Sequence, residues 1–331
     1  MILSDDFYNI LNKGIHPLIY EYSISPKYLY AITMKTIIRH FIDFIVKNPY
    51  KIPSLLLIFF IALPLPLSWG ADMEGAIYKT SKKKYSAKRW FQNGESKYKR
   101  KQYEEAVKAF RKSIGSFPKN SQAWDGLGNA LYCMGEYDEA IQAYDNALQI
   151  SPNQPNTLVN KGIALFKKKK YEETLPLYDK AIKRNPTFST AWYNKGISLT
   201  ALARHKEALE AFDKAIAINP SEDLSWIGKG YLLLVSEQYD SALQFFSMAA
   251  QVNPNKDWVW NNIGITMDKL GSYDDAIKAF NKAIEIKPTN AKAWHNKANT
   301  LYNMGKYNEA MKTYNKAVEI DPQIYTVLKS N

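Results

Sequence analysis

The chain has 331 residues, 46% of them hydrophobic, and a formal net charge of +12 at pH 7. Its single cysteine excludes a disulfide within the chain, and its four histidines lack the spacing of metal ligands. We find no nucleophile paired with a base, no glycine-rich phosphate loop and no carboxylate pair distinct from ordinary surface acids. The sequence therefore predicts a protein without catalytic residues, metal or cofactor.

Residues 1–51 form a leader that contains one candidate amphipathic helix. Between Met34 and Lys47, isoleucine and phenylalanine side chains fall on one helical face and mostly basic side chains on the opposite face. This pattern is typical of a helix that lies in a membrane interface. Met34 would also be an ordinary start for the chain, so either Met1 or Met34 is compatible with the sequence as the initiator.

Residues 52–71 form a run of twenty residues without a charge, IPSLLLIFFIALPLPLSWGA. The run is long enough to cross a bilayer, but Pro64 and Pro66 leave only residues 55–63 uniformly apolar, the length of a signal-peptide core. We expect a membrane-associated or exported protein rather than a cytoplasmic one. Cleavage and retention as an anchor both remain open, and the alternative is a buried helix that caps the following domain.

Residues 72–86 are predicted to be a basic linker, and the basic character continues beyond it. Between Lys79 and Lys112 there are thirteen basic and three acidic residues, so this stretch supplies +10 of the net +12. One interpretation is a neck that binds an anionic membrane surface; the other is a solvated linker and outer helix face. Lysines downstream of the apolar run also favour retention in the cytoplasm, so the membrane orientation stays open. Nucleic acid is not expected, because no aromatic residues with recognisable spacing accompany the charge.

The rest of the chain carries a repeat of fixed length. Seven prolines stand 34 residues apart, at Pro118, Pro152, Pro186, Pro220, Pro254, Pro288 and Pro322. Within each unit, position four is tryptophan and position eight glycine in six of seven copies, position twenty is small and position twenty-four aromatic. The helical spacing of these positions predicts two amphipathic helices, A and B, stacked from unit to unit. The glycine is expected to let helix A lie close against the small residue of helix B.

The seven units are predicted to span 87–120, 121–154, 155–188, 189–222, 223–256, 257–290 and 291–324, with 325–331 as a truncated cap. Their pattern, as in WDGLGNALYCMGEYDEAIQAYDNALQISP from Trp124 to Pro152, resembles the tetratricopeptide repeat. The resemblance implies an all-α fold: a right-handed superhelical solenoid of helix-turn-helix units after an N-terminal hydrophobic segment. It also implies that the A helices line a concave groove that holds a peptide or partner protein.

The resemblance further implies which side chains point into the groove, namely positions two, five, six, nine and twelve of helix A. At positions five and nine the third to fifth units are apolar and the ends of the array are polar. Four apolar residues are predicted to bind a partner, although such a stripe is more often packing: Tyr193, Ile227, Tyr231 and Trp258. Four amides at position six are predicted to hold the backbone of an extended peptide: Asn160, Asn194, Asn262 and Asn296.

These observations predict a noncatalytic scaffold, delivered to or through a membrane, that binds a partner in its groove. Chaperone-binding members of the family that the repeats resemble hold a C-terminal carboxylate in a clamp of lysine, arginine and asparagine side chains. This clamp is incomplete here; Thr190 and Asn194, for example, stand where two of its basic residues would be needed. The alternative function is a self-associating structural component of the cell envelope without a peptide ligand. The short segment after Pro322 would leave apolar surface on the last unit, which predicts a homodimer through the C-terminal end or burial against the partner.

Overall fold

The computed structural model describes the backbone of residues 67–324 and the side chains from Tyr78 to Ile324, apart from Lys79. The expected leader, most of the apolar run 52–71 and the expected cap 325–331 lie outside these residues. The chain divides into two units, with the boundary between Arg89 and Trp90. Within the described residues, no helix combines the length and apolar character that crossing a bilayer requires.

The described part of the chain is entirely α-helical, as predicted, with fourteen helices and no strand between residues 67 and 324. In chain order the helices are α1 Leu67–Lys99, α2 Tyr103–Ser116, α3 Ser121–Met134, α4 Tyr137–Ile150, α5 Pro155–Lys167, α6 Tyr171–Arg184, α7 Ser189–Ala201, α8 His205–Ile218, α9 Asp223–Val235, α10 Tyr239–Val252, α11 Asp257–Lys269, α12 Tyr273–Ile286, α13 Ala291–Asn303 and α14 Tyr307–Ile320. From α3 onward the odd-numbered helices are A helices and the even-numbered ones are B helices. The expected linker 72–86 is helical and belongs to α1.

Helix A packs against helix B of the same unit through a glycine and an aromatic ring. A Cβ added to Gly128 would stand 2.5 Å from the ring of Tyr144, and one added to Gly264 would stand 2.5 Å from the ring of Phe280. The nearest neighbour of the glycine is therefore the aromatic ring at position twenty-four, which was expected to fill the space beside the small residue of helix B. The reason is volume, because a large planar side chain fills the space of a missing Cβ and buries more apolar area than alanine.

The tryptophan at position four connects each unit to the preceding proline turn. Its indole N–H donates a hydrogen bond of 2.8–3.2 Å to the proline carbonyl six residues earlier in five units: Trp124 to Pro118, Trp192 to Pro186, Trp226 to Pro220, Trp260 to Pro254 and Trp294 to Pro288. Leu158 occupies this position in the third unit and has no such donor. The tryptophan therefore serves both as apolar filler and as a hydrogen-bond donor that fixes the turn.

The turn between helices A and B has the same backbone conformation in all seven units. The residue at position fifteen has a left-handed φ between 56° and 85° in each. Glycine occupies three of these sites, and the other four hold Lys101, Lys169, Ala203 and Glu237. Because a side chain in this region costs roughly 1–2 kcal/mol, four of the seven turns carry local strain that glycine would remove.

Neighbouring units stack with their A helices in direct contact, from α3 against α5 through to α11 against α13. The B helices of neighbouring units in the described chain make no comparable contact. Because the A helices are the more closely spaced, the array curves toward them, and they line its inner face. Ion pairs at equivalent positions also bridge successive units: Lys161 with Asp145, Lys195 with Asp179 and Lys229 with Asp213. The aspartates are more than half exposed, so each pair contributes at most about 1 kcal/mol.

Candidate binding groove

Two of the four apolar candidates are exposed on the inner helices. Tyr231 on α9 exposes 52% of its surface and Trp258 on α11 exposes 38%. Val235 lies one helical turn after Tyr231 and is 50% exposed. The sequence did not identify Val235, although residues four apart share a helical face. We call Tyr231, Val235 and Trp258 the apolar patch.

The side chain of Trp258 is held in place by charged neighbours. The ammonium of Lys256 lies 5.5 Å from the centroid of the Trp258 ring, within range of a cation–π contact. The same ammonium pairs with the carboxylate of Asp223 at 2.7 Å, and the Asp223 side chain is only 10% exposed. This chain of contacts orders Trp258 before any partner arrives, which lowers the entropy that binding would cost.

The other two apolar candidates pack within the array. Ile227 is 6% exposed and belongs to a core cluster with Phe246 and Ile263, so it presents almost no surface to a partner. The ring of Tyr193 lies 6.2 Å from that of Phe212 and is half-buried, and burial raises the pKa of its phenol above the ordinary value. Burial leaves Ile227 little surface for a partner, whereas Tyr193 keeps part of its surface exposed. The binding roles of both residues stay predictions.

Hydrogen bonds within the array engage three of the four position-six amides. Asn160 donates to Asn129 of the preceding unit at 3.0 Å, and Asn296 donates to Asn261 of the preceding unit at 2.9 Å. Asn194 donates to the carbonyl of Thr190 at 2.7 Å. For Asn262 we find no side-chain hydrogen bond among the described residues. Asn160 and Asn296 therefore hold adjacent units together. Asn262, in contrast, has the full hydrogen-bonding capacity of its amide for a ligand.

A cleft of about 450 Å³ opens on the inner face of the first three units. Phe91, Tyr98 and Phe110 contribute aromatic surface to it, whereas Asp125, Asn129 and Thr157 contribute polar surface. Position six of the second unit is Gly126, and a Cβ there would stand 2.6 Å from the Phe110 ring. The missing side chain therefore lets this ring pack against the backbone of α3 beside Asp125.

Asp125 belongs to a buried polar network in this cleft. Its Oδ2 accepts a hydrogen bond from the Asn129 amide at 3.2 Å, while the Asn129 oxygen accepts from Tyr144 at 2.8 Å and from Asn160 at 3.0 Å. Burial raises the pKa of the Asp125 carboxyl, and hydrogen bonding from Thr157, Asn129 and Asn160 opposes part of that rise. Although these groups surround it, the Oδ1 atom of Asp125 is buried without a donor in hydrogen-bond geometry.

The sequence pattern gave a weak signal for this cleft. Asp125 and Gly126 occupy positions five and six of the second unit, which lies toward a polar end of the array. An acidic residue at position five, next to glycine at a position where four other units have asparagine, is the sequence signal of a negatively charged wall. The predicted site residues, four apolar side chains and four amides, lie in the third to seventh units instead.

Two further surfaces lie away from the groove. On α1, Lys82, Lys83, Lys84, Lys88 and Arg89 are all exposed, as are two tyrosines, Tyr78 and Tyr85. In the last unit, Tyr302, Tyr307 and Met311 are each more than 60% exposed. The phenol oxygen of Tyr314 and Nδ1 of His295 are buried nearby without a hydrogen-bond partner. The last unit thus combines exposed apolar surface with unsatisfied polar groups.

Fourteen helices arranged in stacked pairs around an inner groove define a helical-repeat solenoid. Family models described as tetratricopeptide repeat match residues 91–120, 155–188, 189–222 and 291–324, and one described as TPR repeat matches residues 128–169 and 268–305. The chain belongs to the tetratricopeptide repeat family, as its sequence pattern predicted.

Solved structures agree with this fold. A tetratricopeptide repeat protein from Parabacteroides merdae is 17% identical, with a TM-score of 0.59, and the match covers 72% of this chain and 94% of that one. The pilF protein of Pseudomonas aeruginosa is 20% identical, with a TM-score of 0.55, over 64% of this chain and 96% of that one. At these identities the likeness concerns the fold alone. Among proteins of curated function, none matches the sequence.

Proposed function

We propose that the chain is a noncatalytic scaffold that holds a partner protein or an extended peptide in the groove lined by its A helices. The observation that carries this proposal is the exposure of Tyr231, Val235 and Trp258 on the inner face. The core of the array is already filled by glycine–aromatic pairs, so packing does not account for these side chains. Exposed aromatic residues on a concave surface are typical anchors for a partner.

The groove offers polar contacts as well as the apolar patch. The Asn262 amide sits on α11, the helix that carries Trp258, and has both a donor and an acceptor available. An extended segment that crosses α9 and α11 would therefore meet aromatic anchors and one amide that can pair with its backbone. This arrangement supports binding of a peptide with apolar side chains, held by a few strong contacts.

Affinity measurements on a groove variant test this proposal. A partner is first captured from the native membrane fraction and identified by mass spectrometry, and its affinity for the purified full chain is then measured by calorimetry. Replacing both Tyr231 and Trp258 by alanine should weaken binding by more than about 2 kcal/mol, since these are the exposed aromatic anchors. Val252→Ala is the matched control, because Val252 is 37% exposed, close to the value for Trp258, but lies on a B helix. Equal affinity for wild type and the double variant would show that the apolar patch does not bind the partner.

We also propose that the protein is delivered to or through a membrane. Support comes from the uncharged run 52–71 and from the exposed basic residues of α1, which suit anionic headgroups. Each lysine or arginine close to such a surface contributes about 1 kcal/mol at low salt. Changing Lys82, Lys83 and Lys84 to glutamate should reduce binding of the full chain to vesicles with anionic lipid, and leave binding to neutral vesicles unchanged. Equal binding of both proteins to anionic vesicles would show that this surface takes no part.

A self-associating structural component is the second candidate function. It is favoured by the exposed Tyr302, Tyr307 and Met311 together with the unpartnered hydroxyl of Tyr314. In the second unit the equivalent hydroxyl, that of Tyr144, donates to Asn129 at 2.8 Å. The pull-down from the membrane fraction separates the two functions, because recovery of this protein alone would favour self-association over a groove ligand.

A further inference from the structure

The cleft between the first three units carries a negative charge that the rest of its surface does not balance. Two carboxylates line it, Glu95 and Asp125, against one ammonium, Lys99. Glu95 and Lys99 are exposed and free to reorient in solvent, whereas Asp125 is partly buried. The fixed charge at the inner wall is therefore that of Asp125.

The hydrogen-bond network fixes the position of the Asp125 carboxylate and leaves one of its two oxygens without a hydrogen-bond donor. The oxygen of Asn129 accepts from Tyr144 and Asn160, which forces the Asn129 amide to turn toward Asp125 and to donate to its Oδ2. Burial keeps the Tyr144 phenol protonated by raising its pKa, so it remains a donor. No donor completes the coordination of the buried Oδ1. A carboxylate in this setting lacks part of the stabilisation that water would give it.

We propose that this cleft is a subsite for an arginine or lysine side chain of the segment that the groove binds, with Asp125 as the fixed counter-charge. A cation beside a poorly solvated carboxylate interacts more strongly than it would in water, because little solvent screens the pair. The inference rests on the proposed groove function and specifies one side chain of its ligand. Its location is separate from the apolar patch, since it involves α1, α3 and α5.

The opposite wall of the cleft suits the remainder of such a side chain. The rings of Phe91 and Phe110 lie 5.9 Å apart, tilted by 50°, and Tyr98 adds a third aromatic surface. Burial raises the pKa of Tyr98 to about 12, so its phenol adds no negative charge at neutral pH. Aliphatic stems and guanidinium planes both pack well on aromatic rings. Arginine is favoured over lysine, because its planar group can donate several hydrogen bonds to the carboxylates and amides at once.

The charge around the cleft makes the proposal testable with an unbiased probe. Residues 90–112 carry seven basic and three acidic residues, so the net charge of this part of the chain repels cationic peptides. Enrichment of arginine or lysine would therefore report local pairing rather than general attraction. The probe is a library of random dodecapeptides displayed on phage, selected in parallel on the full-length wild-type chain and on the Asp125→Asn variant.

We expect peptides selected on the wild type to be enriched in arginine or lysine at one position, and this enrichment to disappear on Asp125→Asn. For one selected peptide, replacing that arginine by citrulline, its uncharged isostere, should weaken binding to the wild type about tenfold and to Asp125→Asn less than twofold, as measured by fluorescence anisotropy. Glu95→Gln is the second variant, because Glu95 is exposed and the change leaves the buried network intact. It should reduce the citrulline effect to about threefold.

Three outcomes would overturn the inference. Selected peptides without arginine or lysine would exclude a cation subsite while leaving a peptide-binding groove. The same enrichment on wild type and on Asp125→Asn, with an unchanged citrulline effect in Glu95→Gln, would place the cation elsewhere. Failure to select any peptide, together with a captured partner whose affinity Tyr231 and Trp258 do not affect, would contradict the proposed groove function as well.

Discussion

The backbone of Gly128 lies directly against the ring of Tyr144, where a Cβ would stand 2.5 Å from ring carbon Cε1. Tyr144 is 1% exposed and its hydroxyl is bonded to Asn129, so the ring cannot move aside without breaking the polar network of the second unit. The contact between Gly128 and Tyr144 thus links the close packing of helices α3 and α4 to the orientation of the polar residues in the cleft.

This contact predicts that Gly128→Ala destabilises the array, although alanine is the better helix former. Overpacking of a filled core typically costs about 1–3 kcal/mol, which exceeds the gain of roughly 1 kcal/mol in helix propensity. Gly115→Ala is the matched control, since a Cβ at Gly115 would have no neighbour within 4 Å. The urea midpoint should fall for the first variant and rise for the second. A rise for both would show that the ring yields easily.

The left-handed turns predict a stabilising substitution. Ala203 has a φ of 56°, and glycine in its place should raise stability by about 1 kcal/mol by removing the strain of the side chain. The same substitution at Ala217, an exposed position of α8, should lower stability by a similar amount, because glycine weakens a helix. Thermal unfolding followed by circular dichroism compares the two. Shifts of the same sign would contradict the conformational explanation.

The raised pKa of Asp125 predicts a pH-dependent effect on stability. A raised pKa means that the folded state holds the proton more tightly than the unfolded state, so stability falls as pH rises from the ordinary aspartate range through the folded-state pKa. Asp125→Asn lacks this loss. The variant should therefore exceed the wild type in urea midpoint at pH 7, and the difference should shrink as the pH is lowered toward 3. A difference that is constant with pH would contradict this origin.

The exposed end of the last unit predicts self-association. Light scattering of the full chain in mild detergent should show concentration-dependent dimers, because Tyr302, Tyr307 and Met311 together expose a large apolar surface. Met311→Glu should shift the equilibrium toward monomer, since dimerisation would then bury a charge. Lys312→Gln, at an exposed neighbouring position, makes the same change of −1 in net charge and serves as the control. A wild-type chain that stays monomeric at all concentrations would reject this interface.

The sequence predicted the fold because the repeat imposes the same local rules in each unit. From α2 onward the helices start at equivalent positions of each unit, and one of the seven prolines follows the end of each B helix. It did not predict which groove residues are exposed, since position five is occupied by Ile227 in one unit and by Asp125 in another. The first is covered by core residues and the second lines a cleft. Burial at position five depends on side chains from two adjacent units. The position within one unit carries no information about the side chains of the neighbouring unit.

The predicted asparagine ladder shows the same limit. Position six correctly identifies side chains on the inner helices, but their partners come from elsewhere. Asn160 and Asn296 donate to residues 31 and 35 positions earlier in the chain, across the boundary between units. An amide that stabilises such a boundary has fewer hydrogen bonds to offer a ligand. Only the three-dimensional contact distinguishes these two from Asn262.

Photocrosslinking in cells shows whether the groove of A helices holds a protein partner. A photoreactive amino acid is placed in turn at Gln122 and Val235, which line the inner face, and at Lys214, which is exposed on helix α8. We expect the two inner positions to form adducts with one and the same partner and Lys214 to form none. Partner adducts from Lys214 but not from Gln122 or Val235, or adducts between copies of this chain alone, would contradict a partner in the groove.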